Sequence, residues 1–462
     1  MESKSLFVYF AAAVANFMSL ASGWVYAWSS PALAKLNGLD NSELNPLSRP
    51  ITTLESSWMT SLLHFGATFG PIVAGVMADR FGRKRTLLIF SLPMIIGNII
   101  TIFANAVEQF YVARFLCGLG CGAIYAVMPL YVSEISEPHN RGFLSCLLTV
   151  LLTFSSFLCY GIGPYVSITV LGYLGLVPLV FFVVIFSGFI PESPFYYVLK
   201  SDLVSATRAL QLLRRKSVNS VEKELEDIKR DINREVSSTS FFDIFKTPNS
   251  RRSLFITLGL MMFQQASGIS GILAYLQIFF DATGSSVPSD ISVMIVGFVQ
   301  FASTFLTSVL VDKLGRKILI LISCCGLFIS LSGLGIYFFM KNNGYNVDYL
   351  FWAPVFFVML YSLSFSIGIG PLPWTILSEI LPADVKFYSS SLVTWVALFS
   401  GFSVTMLFPI LQEMLGMTTC MWMFAGFIGT SIFFVIFFVP ETKGKTFDEI
   451  QAMLVKKDKN VI

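Results

Sequence analysis

The sequence predicts an all-α membrane protein with twelve transmembrane helices in two pseudo-symmetric six-helix halves. Three observations lead there: the scarcity of charge, the spacing of the apolar runs, and a set of motifs that occurs twice. Of 462 residues, 55% are hydrophobic and 13% charged, whereas a soluble chain carries about 25% charged residues. Mean hydropathy is +0.73. That balance excludes a water-soluble multidomain enzyme, a disordered chain and a fibrous protein. A net charge of +3 is too small to imply a nucleic-acid partner, and two histidines leave little for a metal site.

Apolar runs long enough to cross a bilayer core, about 20 residues each, fall near 7–27, 57–78, 86–105, 111–132, 143–163 and 168–190. Six more fall near 253–280, 291–311, 318–340, 349–377, 389–411 and 417–439. The first is too long for a signal-peptide core and has no small-residue cleavage pattern, so it is expected to remain as span 1. The domains expected are a six-helix half (1–190), a helical insert (191–252), a second six-helix half (253–440) and a tail (441–462). All seven cysteines lie in apolar runs, where a thiol acts as a small hydrophobe, and no structural disulfide is expected.

The insert holds twelve Lys/Arg. Asn219 with Glu222 reads as a helix start, and Val221, Leu225, Ile228 and Ile232 then form a narrow apolar seam. Two readings stand: a helix packed on the bundle's inner face, or a solvated linker helix. With the N-terminus inside, 27 of the 31 basic residues lie on the cytosolic side, leaving Lys35, Arg49, Arg114 and Lys341 outside. Both termini are then cytosolic.

Asp79-Arg-Phe-Gly82-Arg83-Lys84 recurs 233 residues later as Asp312-Lys-Leu-Gly315-Arg316-Lys317. Ser133-Glu134-Ile135 recurs 245 residues on as Ser378-Glu379-Ile380, and Pro191-Glu192-Ser193 recurs 249 on as Pro440-Glu441-Thr442. Three matches in register indicate a duplicated six-span unit, which is a transporter architecture. Gly82 and Gly315 permit tight turns. The acids Glu134, Glu192, Glu379 and Glu441 are expected to pair with Arg83, Arg141, Arg316 and Lys386 across the two halves when the inner side is shut. Together with Asp79 and Asp312 they would form a gate at the inner side, where ion pairs change solvation as the halves rock. Plain positive-inside anchoring would explain the cations, but not an Asp and a Gly at matching places twice.

Amides in apolar runs are costly unless they face a cavity or another span, which draws attention to Gln264, Gln265 and Gln300. Gly368-Ile-Gly370-Pro371-Leu-Pro373-Trp374 breaks span 10, and irregular backbone at depth is tolerated where it lines a cavity. Uncharged donors and acceptors beside an aromatic platform suit a sugar, so Trp374 is read as a ring-stacking or gating side chain. Trp24, Trp28 and Trp422 read better as interfacial belt residues. Gly118, Gly120 and Gly122 read as a helix contact; no strand or Lys-Ser/Thr accompanies them, so nucleotide binding is unsupported.

The chain resembles the sugar porters of the major facilitator superfamily, which include the facilitative glucose transporters. The resemblance rests on Gly82-Arg83-Lys84, Arg114, Pro129-Leu-Tyr131-Val-Ser-Glu134-Ile135, Arg141-Gly142 and Pro191-Glu192-Ser193-Pro194. It continues through Gln264-Gln265-Ala-Ser267-Gly268-Ile269, Gly370-Pro371-Leu-Pro373-Trp374 and Pro440-Glu441-Thr442-Lys443-Gly444. Thr53-Leu-Glu55-Ser-Ser-Trp58, Gly70-Pro71 and Thr446-Phe-Asp-Glu449-Ile make it most like the insect facilitated trehalose transporters. The resemblance implies that Gln264, Gln265 and Trp374 contact sugar and that Tyr275 serves an outer gate. Thr149 stands where glucose transporters usually have Gln, while Ser270 and Gln300 stand where they have Asn. Ala397 and Leu398 occupy a usual Asn-Trp pair, with Trp395 nearby, and Phe195 replaces a common Arg. These departures imply a wider cavity with fewer donors, suited to a larger sugar or a different polyol.

Proton-linked members of this family typically carry a carboxylate on span 1; here the matching stretch is Gly23-Trp24-Val25-Tyr26. Within the twelve spans, His64 is read as the only ionisable residue apart from Cys and Tyr. It would be either a proton shuttle or, better, a neutral packing histidine. The function expected is facilitated diffusion of a neutral sugar, a hexose or a disaccharide such as trehalose, across the plasma membrane by alternating access. The alternatives are a proton-coupled symporter and a non-transporting sugar sensor. No enzyme activity, cofactor or obligate protein partner is expected; the sugar and the lipid bilayer are the partners.

Overall fold

The computed structural model describes residues 6–38, 45–137, 139–215, 218–235, 244–382, 385–445 and 447–456. Among them every regular element is helical. Eleven helices are long and apolar enough to cross a membrane: Leu6–Leu36, Thr53–Phe81, Arg83–Phe103, Val107–Ile135, Arg141–Tyr165 and Ile168–Phe189, then Pro248–Ala274, Ser289–Thr307, Arg316–Asn342, Asp348–Ile380 and Tyr388–Phe437. The last is two helices, because Gly416 sits at φ 81, ψ 159, outside any right-handed helix. Dividing it there gives spans 11 and 12, and twelve spans in all.

Two compact units emerge. Met1–Tyr26, Phe65–Ser155 and Ser167–Ser238 form one; Ala27–His64, Ser156–Val166 and Thr239–Ile462 form the other. The second unit thus takes in the ends of spans 1, 2 and 5 farthest from the Gly82 turn, together with spans 7–12.

In the first unit, spans 2 and 4 touch backbone to backbone. A methyl added to Gly122 would lie 2.2 Å from the Ala67 carbonyl oxygen, and one on Gly66 would lie 2.3 Å from that of Phe115. This is the small-residue packing its spacing predicted. The same unit corrects two expectations. Trp24 is 5% exposed and donates its indole N–H to the Leu171 carbonyl at 2.9 Å, so it ties span 1 to span 6 and is no belt residue. Arg114 is 4% exposed inside span 4 and donates to the Val25 carbonyl at 2.7 Å. A fixed cation therefore lies within a span, and His64 is not the only ionisable group there. Carbonyl lone pairs replace the water that an outward-facing Arg114 would have had.

In the second unit Trp28 is likewise buried, whereas Trp422 is 44% exposed, as a belt residue would be. Span 1 runs past its expected end to Leu36, and Lys35, fully buried, donates to the Gly163 carbonyl in the last turn of span 5. Neither Arg114 nor Lys35 is the exposed cation that counting charges supposed.

Three helices follow span 6: Pro194–Leu199, Leu203–Arg214 and Val218–Glu235. Val221, Leu225 and Ile228 pack on Ala206 and Leu210, flanked by Phe195, Tyr197 and Val198. The seam is therefore packed, but onto the insert's own helices. Arg214 anchors this group by donating to the Ile135 carbonyl at the end of span 4 (2.7 Å) and to Glu224 (2.6 Å). The side chains of Asn219 and Ile232 lie outside those described.

Candidate functional site

Two charged clusters are built to one plan. Gly82 breaks the chain between spans 2 and 3 at φ 101, and a methyl there would meet Glu192 Oε2 at 2.2 Å. Glycine is required both for the left-handed backbone and for the carboxylate's approach. Glu192 accepts from the backbone N–H of Lys84 at 2.9 Å, capping the start of span 3. Lys84 Nζ reaches the Ser187 carbonyl in the last turn of span 6 at 2.8 Å. The second half repeats each contact. Gly315 has φ 90, and Glu441 accepts from the backbone N–H groups of Arg316 and Lys317, both at 3.0 Å. Lys317 Nζ reaches the Ile436 carbonyl at 2.7 Å. An acid over the open N–H groups of a helix start and a cation at a helix end both complement the backbone dipoles.

Arginines complete the clusters unequally. Arg83 forks onto Glu134, Nε at 3.0 Å and Nη2 at 2.9 Å, with both side chains buried. Arg316 makes a single bond to Glu379 at 3.0 Å, with side chains 18% and 25% exposed. Its Nε and the second oxygen of Glu379 are buried without a hydrogen bond among the described residues. In this structure Arg83 and Arg316 pair within their own halves, with Glu134 and Glu379, and Glu192 and Glu441 bind backbone amides. Those amides lie beside the acids at a helix start and need no side chain to reach them. Asp79 lies 3.5 Å from Arg83 but is mostly exposed, and Arg141 is exposed. The side chains of Asp312 and Lys386 lie outside those described. Burial alone would raise the Glu441 carboxyl, but backbone N–H bonds from Lys443, Arg316, Lys317 and Thr442 hold it below the ordinary carboxylate value.

The polar residues expected to hold sugar take different parts. Span 7 breaks at Ser267–Gly268, where Gly268 has φ 84, and again at Tyr275. Span 10 breaks between Ala353–Ile367 and Leu372–Ile380. The buried Gln264 amide bridges these breaks, donating to the carbonyls of Ile369 at 3.0 Å and Gly370 at 2.5 Å. The residue four on from Ile369 is Pro373, which has no N–H to give that carbonyl. Gln265, half-buried, accepts from Ser270 Oγ at 2.8 Å through Oε1. Its Nε2 makes no hydrogen bond among the described residues and keeps two donors. Gln300 is half-buried on span 8. Trp374 packs on an apolar cluster that includes Leu254, Met261, Leu377, Val393 and Ala397. Thr149 is exposed in the other unit, where its carbonyl accepts from Thr153.

Tyr275 is 4% exposed and shares a hydrogen bond with Thr60 on span 2 at 3.0 Å. Two further ties join the ends of spans 1 and 5 to the second half: the backbone N–H of Gln277 donates to Ser30 Oγ at 3.0 Å, and the Tyr165 hydroxyl donates to Asp290. Of these, only Tyr275 was singled out in the sequence. The others join residues 125–247 apart with ordinary polar side chains, and no local pattern marks them. A groove of about 370 Å³ between spans 8 and 10 is lined by Phe298, Leu306, Phe356, Met359 and Leu363 among others, with Ser303 its one hydroxyl. It offers hydrocarbon rather than the donors and acceptors a sugar needs.

Comparison with known proteins gives one family model, "Sugar (and other) transporter", matching residues 11–454. A Bombyx mori protein named facilitated trehalose transporter Tret1 is 34% identical over 447 residues, 96% of this chain and 86% of that one. Facilitated trehalose transporter Tret1-1 of Drosophila simulans is 36% identical over 442 residues, 95% of this chain but only 50% of the relative. Among solved structures, the inward open conformation of the xylose transporter XylE from E. coli superposes with a TM-score of 0.79 at 21% identity. That match covers 96% of this chain and 99% of that one. At that identity the likeness is one of fold.

Proposed function

The chain belongs to the sugar (and other) transporter family, and from that premise we propose that it carries a neutral sugar down its gradient by facilitated diffusion. The sugar is a hexose or a disaccharide such as trehalose, the solute named for the insect relatives. It binds one site in the membrane, and the two halves rock to expose that site alternately to each side. The protein works in the plasma membrane with both termini in the cytoplasm, as the crowding of basic residues on one face favours.

The observation that carries uniport over proton coupling lies at Arg114. Its guanidinium donates to a backbone carbonyl, that of Val25, within a stretch (Gly23–Tyr26) that has no acid. A carbonyl does not titrate, and arginine stays charged at every physiological pH. In this mechanism the ties at Tyr275–Thr60, Gln277–Ser30 and Tyr165–Asp290 close the extracellular end and part when the site faces outward.

The purified chain in liposomes, given radiolabelled trehalose, glucose, fructose and inositol, tests the proposal. Counterflow of at least one sugar, unchanged by a protonophore, is the expected result. Loss of net uptake with the protonophore would overturn uniport, and binding without counterflow would point to a sensor.

A further inference from the structure

His64 is the one histidine within a span, and nothing above uses it. It lies half-buried at the end of the span 2 segment that packs with spans 7–12. Its neighbours there are informative. A methyl added to Gly401, on span 11, would lie 3.0 Å from His64 Cδ2 and 3.4 Å from Gln265 Oε1. The imidazole from span 2 and the amide from span 7 therefore meet over the bare backbone of Gly401, which leaves room for both.

The chemistry of the pair is complementary. Ser270 takes one lone pair of the Gln265 carbonyl oxygen, and Nε2 carries two N–H donors. A sugar hydroxyl both accepts and donates, so one that accepts from this N–H still has its own proton to place, in a setting poor in water. A neutral imidazole has one nitrogen that accepts.

We propose that His64 is a sugar-contacting residue, which with Gln265 binds a single hydroxyl. Gln265 Nε2–H donates to the hydroxyl oxygen, and the hydroxyl proton goes to an imidazole nitrogen. The proposal rests on the sugar-transport reading above. It adds a specificity-determining group from the first half's sequence to a site otherwise built from spans 7 and 10. It also gives Gly401 a role: a methyl there would crowd the imidazole, 3.0 Å from its Cδ2.

The test uses full-length protein in liposomes and a labelled sugar the unaltered protein carries. His64→Phe keeps the ring's bulk and removes both nitrogens. It should raise the half-saturation concentration about tenfold, the loss of roughly one hydrogen bond, and leave the maximal rate within about twofold. His64→Gln, which restores an acceptor, should recover most of the loss, and Gly401→Ala should reproduce the rise with His64 intact. Monodeoxy derivatives of the sugar are then used as competitors. For one deoxy position the unaltered protein and His64→Phe should show the same affinity, since the hydroxyl and its acceptor form one interaction.

An equal penalty across all deoxy positions would overturn the assignment and leave His64 a packing residue. So would a fall in maximal rate at constant half-saturation, or no effect. Should His64→Phe fail to fold, the Gly401→Ala and His64→Gln affinities decide by the same criterion. If the unaltered protein carries no sugar, the transport reading itself falls and this assignment with it, an outcome distinct from normal uptake indifferent to His64.

Discussion

Gln264 illustrates how two roles for one side chain can be separated. Its amide donates to two carbonyls in the break of span 10, so Gln264→Ala leaves both without a partner among the described residues. A buried hydrogen bond is worth about 1 kcal/mol net, and a buried group left unpaired costs about 1–3 kcal/mol. Measured values in membrane proteins run lower, about 0.6 kcal/mol on average. Two bonds then give a loss of about 1–3 kcal/mol, enough to lower the midpoint of thermal unfolding in detergent by a few degrees. Maximal uptake should fall, because the break of span 10 loses its fixed shape, while half-saturation moves less. Gln264→Glu should be worse than alanine, since an ionised carboxylate offers those carbonyls no donor. The assays are thermal unfolding in detergent and liposome counterflow. If Gln264→Ala melts with the unaltered protein and raises only half-saturation, the residue holds sugar rather than span 10, and this reasoning is refuted.

The two arginine clusters predict a ranking: Arg83→Lys should destabilise more than Arg316→Lys, because lysine cannot reproduce the buried fork onto Glu134 whereas the less buried contact to Glu379 is a single bond. Equal melting shifts would contradict it. Gly82→Ala should cost about 1–2 kcal/mol from the left-handed backbone alone and more as the Glu192 carboxylate is displaced, read as a lower yield of folded protein. Glu441, whose carboxyl lies below its ordinary value of 4.5, contributes stability that is complete above that value and is lost as pH falls through the lower folded value. The unaltered protein should therefore lose more stability than Glu441→Gln when acidified below about pH 4.5, and parallel pH profiles would sink the idea. Tyr275→Phe removes the hydroxyl bond to Thr60 and should speed opening at that end about fivefold at most, measured by alkylation of a cysteine introduced at Ser57.

Much of the fold was legible because it follows from composition and local pattern. The spans, the glycine turns and the duplicated motifs could be read directly, and the break after Met414-Leu415 fell where two runs met. What could not be read was partnership. Glu192 faces cations at the same membrane side, so an ion pair across the halves was the natural expectation, yet the donors it meets here are backbone amides that sequence does not display. Gln264 showed an amide in an apolar run, but not that broken backbone lay opposite it. Trp24 has the composition of an interfacial residue and the environment of a core one. Charge counting sorted Arg114 and Lys35 to a surface because it has no term for a carbonyl within reach. The meeting of His64 with Gln265 over Gly401 joins three helices and left no trace in any one of them.

The glutamate caps also bear on how the chain is made. Span 3 begins at Arg83, but the carboxylate that closes its start is residue 192, 108 positions downstream of Lys84. Span 9 waits for Glu441, 125 positions beyond Arg316. At about 5–20 residues per second of synthesis, each early helix remains uncapped for several seconds while three more spans emerge. An acid just past the last span of each half then acts as its closing stitch. A nascent chain released after residue 189 has all six of its first spans but an unfinished third one, whereas release after Pro194 supplies the missing carboxylate. Assembly would proceed in two rounds, each completed by the same chemical event.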